Sequence, residues 1–293
     1  MNSKLSPLAN KGYDPAYRRN QIRSTGFLAG LFFLLVVAFL LSLRAGSYNT
    51  PLSQLIRGVF GKAADEKINL VVRNNRLPRI CTAIVSGAGL GVTGCVFQAV
   101  LRNPLASAST LGVSQGASFG AAFAIIVLNL GAVGGLGGMA IPLCAFVGSM
   151  AVALVILGLS RFRQVSAEGI VLAGVAISSM FTGATTLMQY FADEIQLNTL
   201  VFWTFGNLGN TTWADVGKMT GVLLCVCVYF FLHRWDFNAL LSGEETATSL
   251  GINVKRLTMV NILLCCLTAS VIVSYIGLIN FIGLVAPHIV RMV

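Results

Sequence analysis

Four uncharged polar side chains, Ser178, Thr182, Thr185 and Gln189, recur at spacings of four, three and four within the apolar stretch Gly169 to Ala192, with Ser179 and Thr186 adjoining. On a helix those spacings fall on one face. Hydroxyls in such a stretch have two outlets. Each can bond back to the carbonyl four residues earlier or join two helices. Alternatively, the face as a whole lines a wet path for a solute. A complete stripe predicts the second outlet, a water-exposed path along this segment.

A second cluster runs Leu240-Leu241-Ser242-Gly243-Glu244-Glu245-Thr246-Ala247-Thr248-Ser249-Leu250-Gly251. Ser242, three residues before Glu245, reads as a capping box whose hydroxyl and carboxylate satisfy orphan N–H groups and favour a helix start by roughly 1 kcal/mol. Glu244 and Glu245 also suit the positive end of the helix dipole. Gly251 can adopt the left-handed conformation that stops such a helix after about two turns. A helix this short is not stable alone, so the rest of the chain or a second protein must hold it.

Two further motifs sit at segment ends. Arg76-Leu77-Pro78-Arg79 puts two guanidiniums on the surface before the second apolar segment, as outward charges or as snorkelling anchors. In Asn103-Pro104-Leu105-Ala106, Pro104 forces its predecessor away from helix, so the chain must turn there.

These groups need a scaffold, and the composition defines it. Only 10% of the 293 residues are charged and the mean hydropathy is +0.81, which excludes an ordinary soluble domain. Apolar segments lie near 25 to 43, 80 to 101, 111 to 130, 138 to 160, 169 to 192, 216 to 232, 257 to 276 and from 280 onward. Each could cross a bilayer. The expected fold is therefore an all-α, polytopic transmembrane bundle with about eight spans.

Charge sets its orientation. With the N-terminus inside, twelve cations face the inner side and eight the outer, seven of those eight between Arg44 and Arg79. The bias favours a cytoplasmic N-terminal tail over residues 1–24, followed by a retained signal-anchor rather than a cleaved leader. Anionic inner-leaflet lipid and topology account for the net charge of +10, and nucleic acid is not the expected partner. The seven cysteines lie in or beside apolar segments with no CxxC pair, so buried small hydrophobes are expected and no metal site.

Missing machinery narrows the function. Gly61-Lys62 and Gly217-Lys218 lack the rest of the phosphate-cradling loop G-x-x-x-x-G-K-[ST], so the chain is not its own ATPase. All ten acidic residues fall in loops or at span ends. Proton-coupled transporters commonly keep a midplane carboxylate despite a cost of roughly 2.5 to 3.5 kcal/mol. An ion-coupled secondary transporter using carbonyl ligands and a non-transporting membrane scaffold remain alternatives.

Several motifs, taken in order, carry a resemblance. They are Arg76 to Arg79, Gly87 through Gln98, Asn103 to Ala106, Leu111-Gly112-Val113-Ser114, Leu172-Ala173-Gly174-Val175, Trp203 with Gly206, the stretch 240–251, and Phe281 through His288. Together they resemble the permease subunit of FecCD-type ABC importers, which take up ferric siderophores, haem and cobalamin. The resemblance implies a permease domain over 25–293 in the cytoplasmic (inner) membrane of a prokaryote, with ten spans expected, about eight present and the C-terminal ones missing. It implies a second permease subunit, identical or related, and an outer or periplasmic substrate-binding protein. Two cytoplasmic ABC ATPase subunits would hold ATP and Mg, leaving this chain no cofactor of its own.

The resemblance also distributes roles. Within a cytoplasmic loop 233–256, Ser242, Gly243, Glu244, Glu245, Ala247, Leu250 and Gly251 match a coupling helix that docks on the ATPase. Asn103 and Leu105 match an inner gate, Ser166 and Ala167 a second gate, and Arg76 and Arg79 the arginines that meet acids on the binding protein. Ser107-Ala108 departs from the acid and proline common there, which implies a differently shaped gate loop.

Overall fold

A computed structural model describes residues 15–45, 51–130, 137–162 and 167–292. The chain forms α1 (Pro15–Arg44), α2 (Leu52–Val59), α3 (Glu66–Val71), α4 (Leu77–Val100), α5 (Val113–Ala122), α6 (Gly137–Phe162) and α7 (Ala167–Tyr190). It continues through α8 (Glu194–Thr204), α9 (Trp213–Leu232), α10 (Arg234–Leu241), α11 (Glu244–Ser249), α12 (Val254–Ile276) and α13 (Ile282–Arg291). Among the described residues, six helices are long and apolar enough to cross a membrane by length and composition, and Val113–Val127 and Ile282–Arg291 are shorter apolar helices. Those eight segments coincide in position with the eight expected from hydropathy, but six rather than eight have the length of a span.

Side-chain caps set several helix starts. Asp193 with Gln196 opens α8 and Thr212 with Asp215 opens α9, each as a reciprocal capping box. Asn253 accepts from the Arg256 N–H at 2.9 Å and opens α12. Within the polar connection 44–79, residues 52–59 and 66–71 form α2 and α3. There, α3 runs through a π-helical turn, Val72–Arg76, directly into α4. Loop 233–256 is likewise built of two short helices, α10 and α11.

The bundle is centred on α12 and α4, of whose most apolar windows 61% and 50% is buried, against 6% for α1. Phe97, Leu101, Leu111, Ile156, Met219, Ile262 and Ile272 fill the main core. Small residues let backbones meet. A Cβ on Gly94 would overlap the Gly283 carbonyl, and one on Gly120 would overlap that of Cys144. At these crossings the absent side chain is what brings α4 against α13, and α5 against α6.

Candidate translocation path and its two ends

Polar contacts sort the connections into two ends of the bundle. At one, Arg102 pairs with Glu244, and Arg291 donates from Nη1 to Gln98 Oε1 at 2.7 Å. At the other, the Trp213 indole donates to the Arg73 carbonyl at 2.8 Å and the Asn207 N–H to the Ile276 carbonyl at 2.7 Å. Gln196 Nε2 there reaches the Ile126 carbonyl at 3.4 Å. The 103–112 turn and α11 therefore share one end, and α8 and the start of α9 share the other.

Along α7 the polar stripe is graded rather than uniform. Ser178, Thr182 and Thr185 each donate at 2.8 Å to the carbonyl four residues earlier, as do Ser179 at 3.1 Å and Thr186 at 3.0 Å. That satisfies every Ser and Thr hydroxyl proton of the helix from within it. Thr182 is exposed, Ser178 and Gln189 are half-buried, and Thr185 is only 7% exposed. An edge-to-face contact of Phe119 with Phe181, ring centroids 5.3 Å apart, packs α5 against this helix beside the stripe.

The turn after α4 is tightly built. Asn103 Oδ1 accepts the Leu105 N–H at 2.9 Å, holding Leu105 outward at 68% exposure. Ser107 N–H donates to Thr110 Oγ1 at 2.8 Å, and that hydroxyl donates to the Ser107 carbonyl at 2.9 Å. Hydroxyl bonding thus shapes the turn where an acid and a proline would otherwise do so. The turn ends at Gly112, whose φ of 86° opens α5. A Cβ on Gly112 would lie 2.9 Å from Ser178 Oγ, and one on Gly174 would lie 2.8 Å from Leu111 Cα. Ser166 lies outside the described residues, and Ala167 begins α7.

The acidic helix is present but is not capped as expected. Ser242 closes α10 and its hydroxyl donates back to the Asn238 carbonyl at 3.3 Å. Gly243, at φ 125°, is the residue that opens α11, with no side-chain cap. Ser242 keeps helical backbone angles as the C-cap of α10, so its hydroxyl is turned to that helix and the N-cap position of α11 falls on Gly243. Glu244 and Glu245 do occupy the first turn of α11, and Gly251 is left-handed at φ 84°. Ala247 is fully buried, while Glu244, Glu245 and Leu250 face out.

The two arginines also part company. Arg79 is exposed, but Arg76 is 8% exposed and donates to the Leu43 carbonyl at the end of α1, so it is not the outward charge expected from its motif. The π-helical turn changes the helical phase and points Arg76 inward. Both line a cavity of about 650 Å³ with Ser42, Asn75 and Leu208. Arg76→Ala is expected to lower stability by about 1 to 3 kcal/mol through the lost guanidinium bond. Arg79→Ala should change it by less than about 0.5 kcal/mol. Thermal unfolding in detergent measures both, and equal shifts would contradict the burial difference.

A family model described as the FecCD transport family matches residues 34–293. The chain belongs to the FecCD transport family. It is 46% identical over 268 residues, 88% of this chain and 76% of the relative, to a Methanocaldococcus jannaschii protein named as an ABC transporter permease. The hemin transport system permease of Yersinia pestis is 34% identical over 89% of this chain and 78% of its own. The vitamin B12 import system permease of Klebsiella pneumoniae is 33% identical over 93% and 78%. A solved structure of a metal-chelate type ABC transporter in an inward-facing conformation superposes with a TM-score of 0.77 at 28% identity, covering 92% of this chain and 82% of that one.

This FecCD protein is thus a multi-pass membrane transport permease with the all-helical fold of its family. Sequence reasoning missed the Arg102–Glu244 pair, for which opposite charge in two distant turns was the only signal. It also missed the cavity beside Arg76 and Arg79, which needed the phase of the π-helical turn.

Proposed function

We propose that this FecCD permease carries a bulky metal chelate, a ferric siderophore, haem or cobalamin, inward across a prokaryotic cytoplasmic membrane. It does so beside a second permease subunit and takes cargo from an outer binding protein. Two separate ATPases, holding ATP and Mg, drive it through α11. The carrying observation is the alignment of relatives named for haem and vitamin B12 transport over 89% and 93% of this chain. Twelve inner cations support an inward N-terminus. That orientation puts α11 and the Asn103–Leu105 turn on the cytoplasmic side and Arg79 outside. Ser178, Thr182 and Gln189 on α7 would line the path, with Thr185 packed behind them.

The test is reconstitution into vesicles with the co-purifying ATPase, using haemin and cyanocobalamin as probes presented with their binding protein. Accumulation of one probe should require ATP hydrolysis and persist when the proton gradient is collapsed. Gradient-driven uptake without the ATPase would overturn the reading.

A further inference from the structure

Among the described residues there are two ion pairs, and Lys218 with Asp215 is a local one within the first turns of α9. The other, Arg102 with Glu244, joins residues far apart in sequence and ties the first residue of α11 to the turn that follows α4. Both side chains are about half exposed. An exposed pair adds little to stability, so its value lies in direction.

The surrounding geometry gives that direction a path. Arg102 holds φ at 45°, a left-handed conformation that a residue with a Cβ keeps only when its surroundings impose it. One residue later begins the hydrogen-bonded turn of Asn103, Leu105, Ser107 and Thr110. That turn rests on α13, where a Cβ on Gly283 would lie 3.6 Å from Ser107 Cβ. It ends at Leu111 and Gly112, which lie against the Gly174 backbone and the Ser178 side chain of α7. At the far side of the pair, α11 is seated in the core by the fully buried Ala247, and α10 by Leu240. Rigid elements therefore stand on both sides of the ion pair.

We infer that Arg102 is a positioning residue, passing displacement of α11 through the guanidinium–carboxylate pair to the 103–112 turn and so to α7. The inference rests on the proposed ATPase docking at α11. A push on Glu244 acts on the residue whose backbone sets the direction of the turn, so a small shift of α11 rotates Leu105 and presses Gly112 against Ser178. Without the charge, α11 and the turn are joined only through the apolar core that holds Leu101, Ala106, Leu240 and Ala247.

The experiment uses the assembled permease–ATPase complex in vesicles, with Leu105→Cys as the sole cysteine. Labelling by a bulky water-soluble maleimide is compared with and without ATP plus vanadate, while ATP hydrolysis is recorded in parallel. The nucleotide should change the labelling rate of the parent. Arg102→Gln and Arg102→Gly should each cut that change by more than half, and Arg102→Lys should keep most of it. The glycine variant separates charge from backbone, since glycine takes positive φ freely. A full response in the glutamine variant, or in the glycine variant, would overturn the inference, as would loss of response in the lysine variant. Failure of any ATPase to co-purify with the parent is a different result, obtained first, and it would remove the proposed function itself.

Discussion

Gly120→Val is expected to leave little correctly folded protein in the membrane. The Cβ of any residue at 120 would sit on the carbonyl of Cys144, and a Cβ at Gly116 would lie 2.6 Å from the carbonyl of Gly148. These obstacles are backbone, so no rotamer change relieves them. The only relief is to move α5 off α6, which opens the cluster of Ala117, Ala121, Ala122, Ile125 and Ala145. Overpacking commonly costs about 1 to 3 kcal/mol and occasionally more. Direct backbone overlap places this substitution at the upper end. Gly158→Val on the same α6 is the control, because a Cβ there has nothing within 4 Å. Monodisperse yield and thermal unfolding in detergent compare the two. Equal behaviour would mean that close approach at Gly120 is not what holds α5 to α6.

Hydropathy made the eight apolar segments legible because a span has to be apolar whatever its neighbours are. It did not show α2 and α3, which lie in the polar connection 44–79. Side-chain direction was harder to read. The spacing of Ser178, Thr182 and Thr185 correctly put them on one face, but a face can turn toward protein or water, and Thr185 is buried while Thr182 is exposed. Arg76 and Arg79 are neighbours in one motif, yet a π-helical turn between α3 and α4 sends one inward. Ser242 and Glu245 had capping-box spacing, but the pattern cannot register that a preceding helix ends at Leu241 and keeps Ser242 as its own C-cap. The positive φ of Gly251 was readable, since a glycine after a short polar helix has few other uses.

The turn between Arg102 and Gly112 is where fold and transport meet, and Gly112→Ala should be the most damaging conservative change near the path. Two penalties combine there. A φ of 86° costs a residue with a Cβ about 1 to 2 kcal/mol. The added methyl would also lie 2.9 Å from Ser178 Oγ, tighter than contact distance. Each 1.4 kcal/mol is about a factor of ten in population, so the native turn should fall by roughly tenfold or more relative to its competitors. ATP-dependent uptake of the probe should fall with it. Adding Ser178→Ala removes the Oγ, the nearest of the atoms that crowd the methyl, while Val152 Cγ1 at 3.3 Å and the Gly174 carbonyl at 3.4 Å remain. The double variant should recover part of the uptake, since the backbone penalty persists. Contacting residues are where additivity fails, so partial recovery measures how firmly the turn bears on α7. If Ser178→Ala brings no recovery at all, Gly112 is held by its backbone conformation only, and α7 does not respond to the turn through this contact.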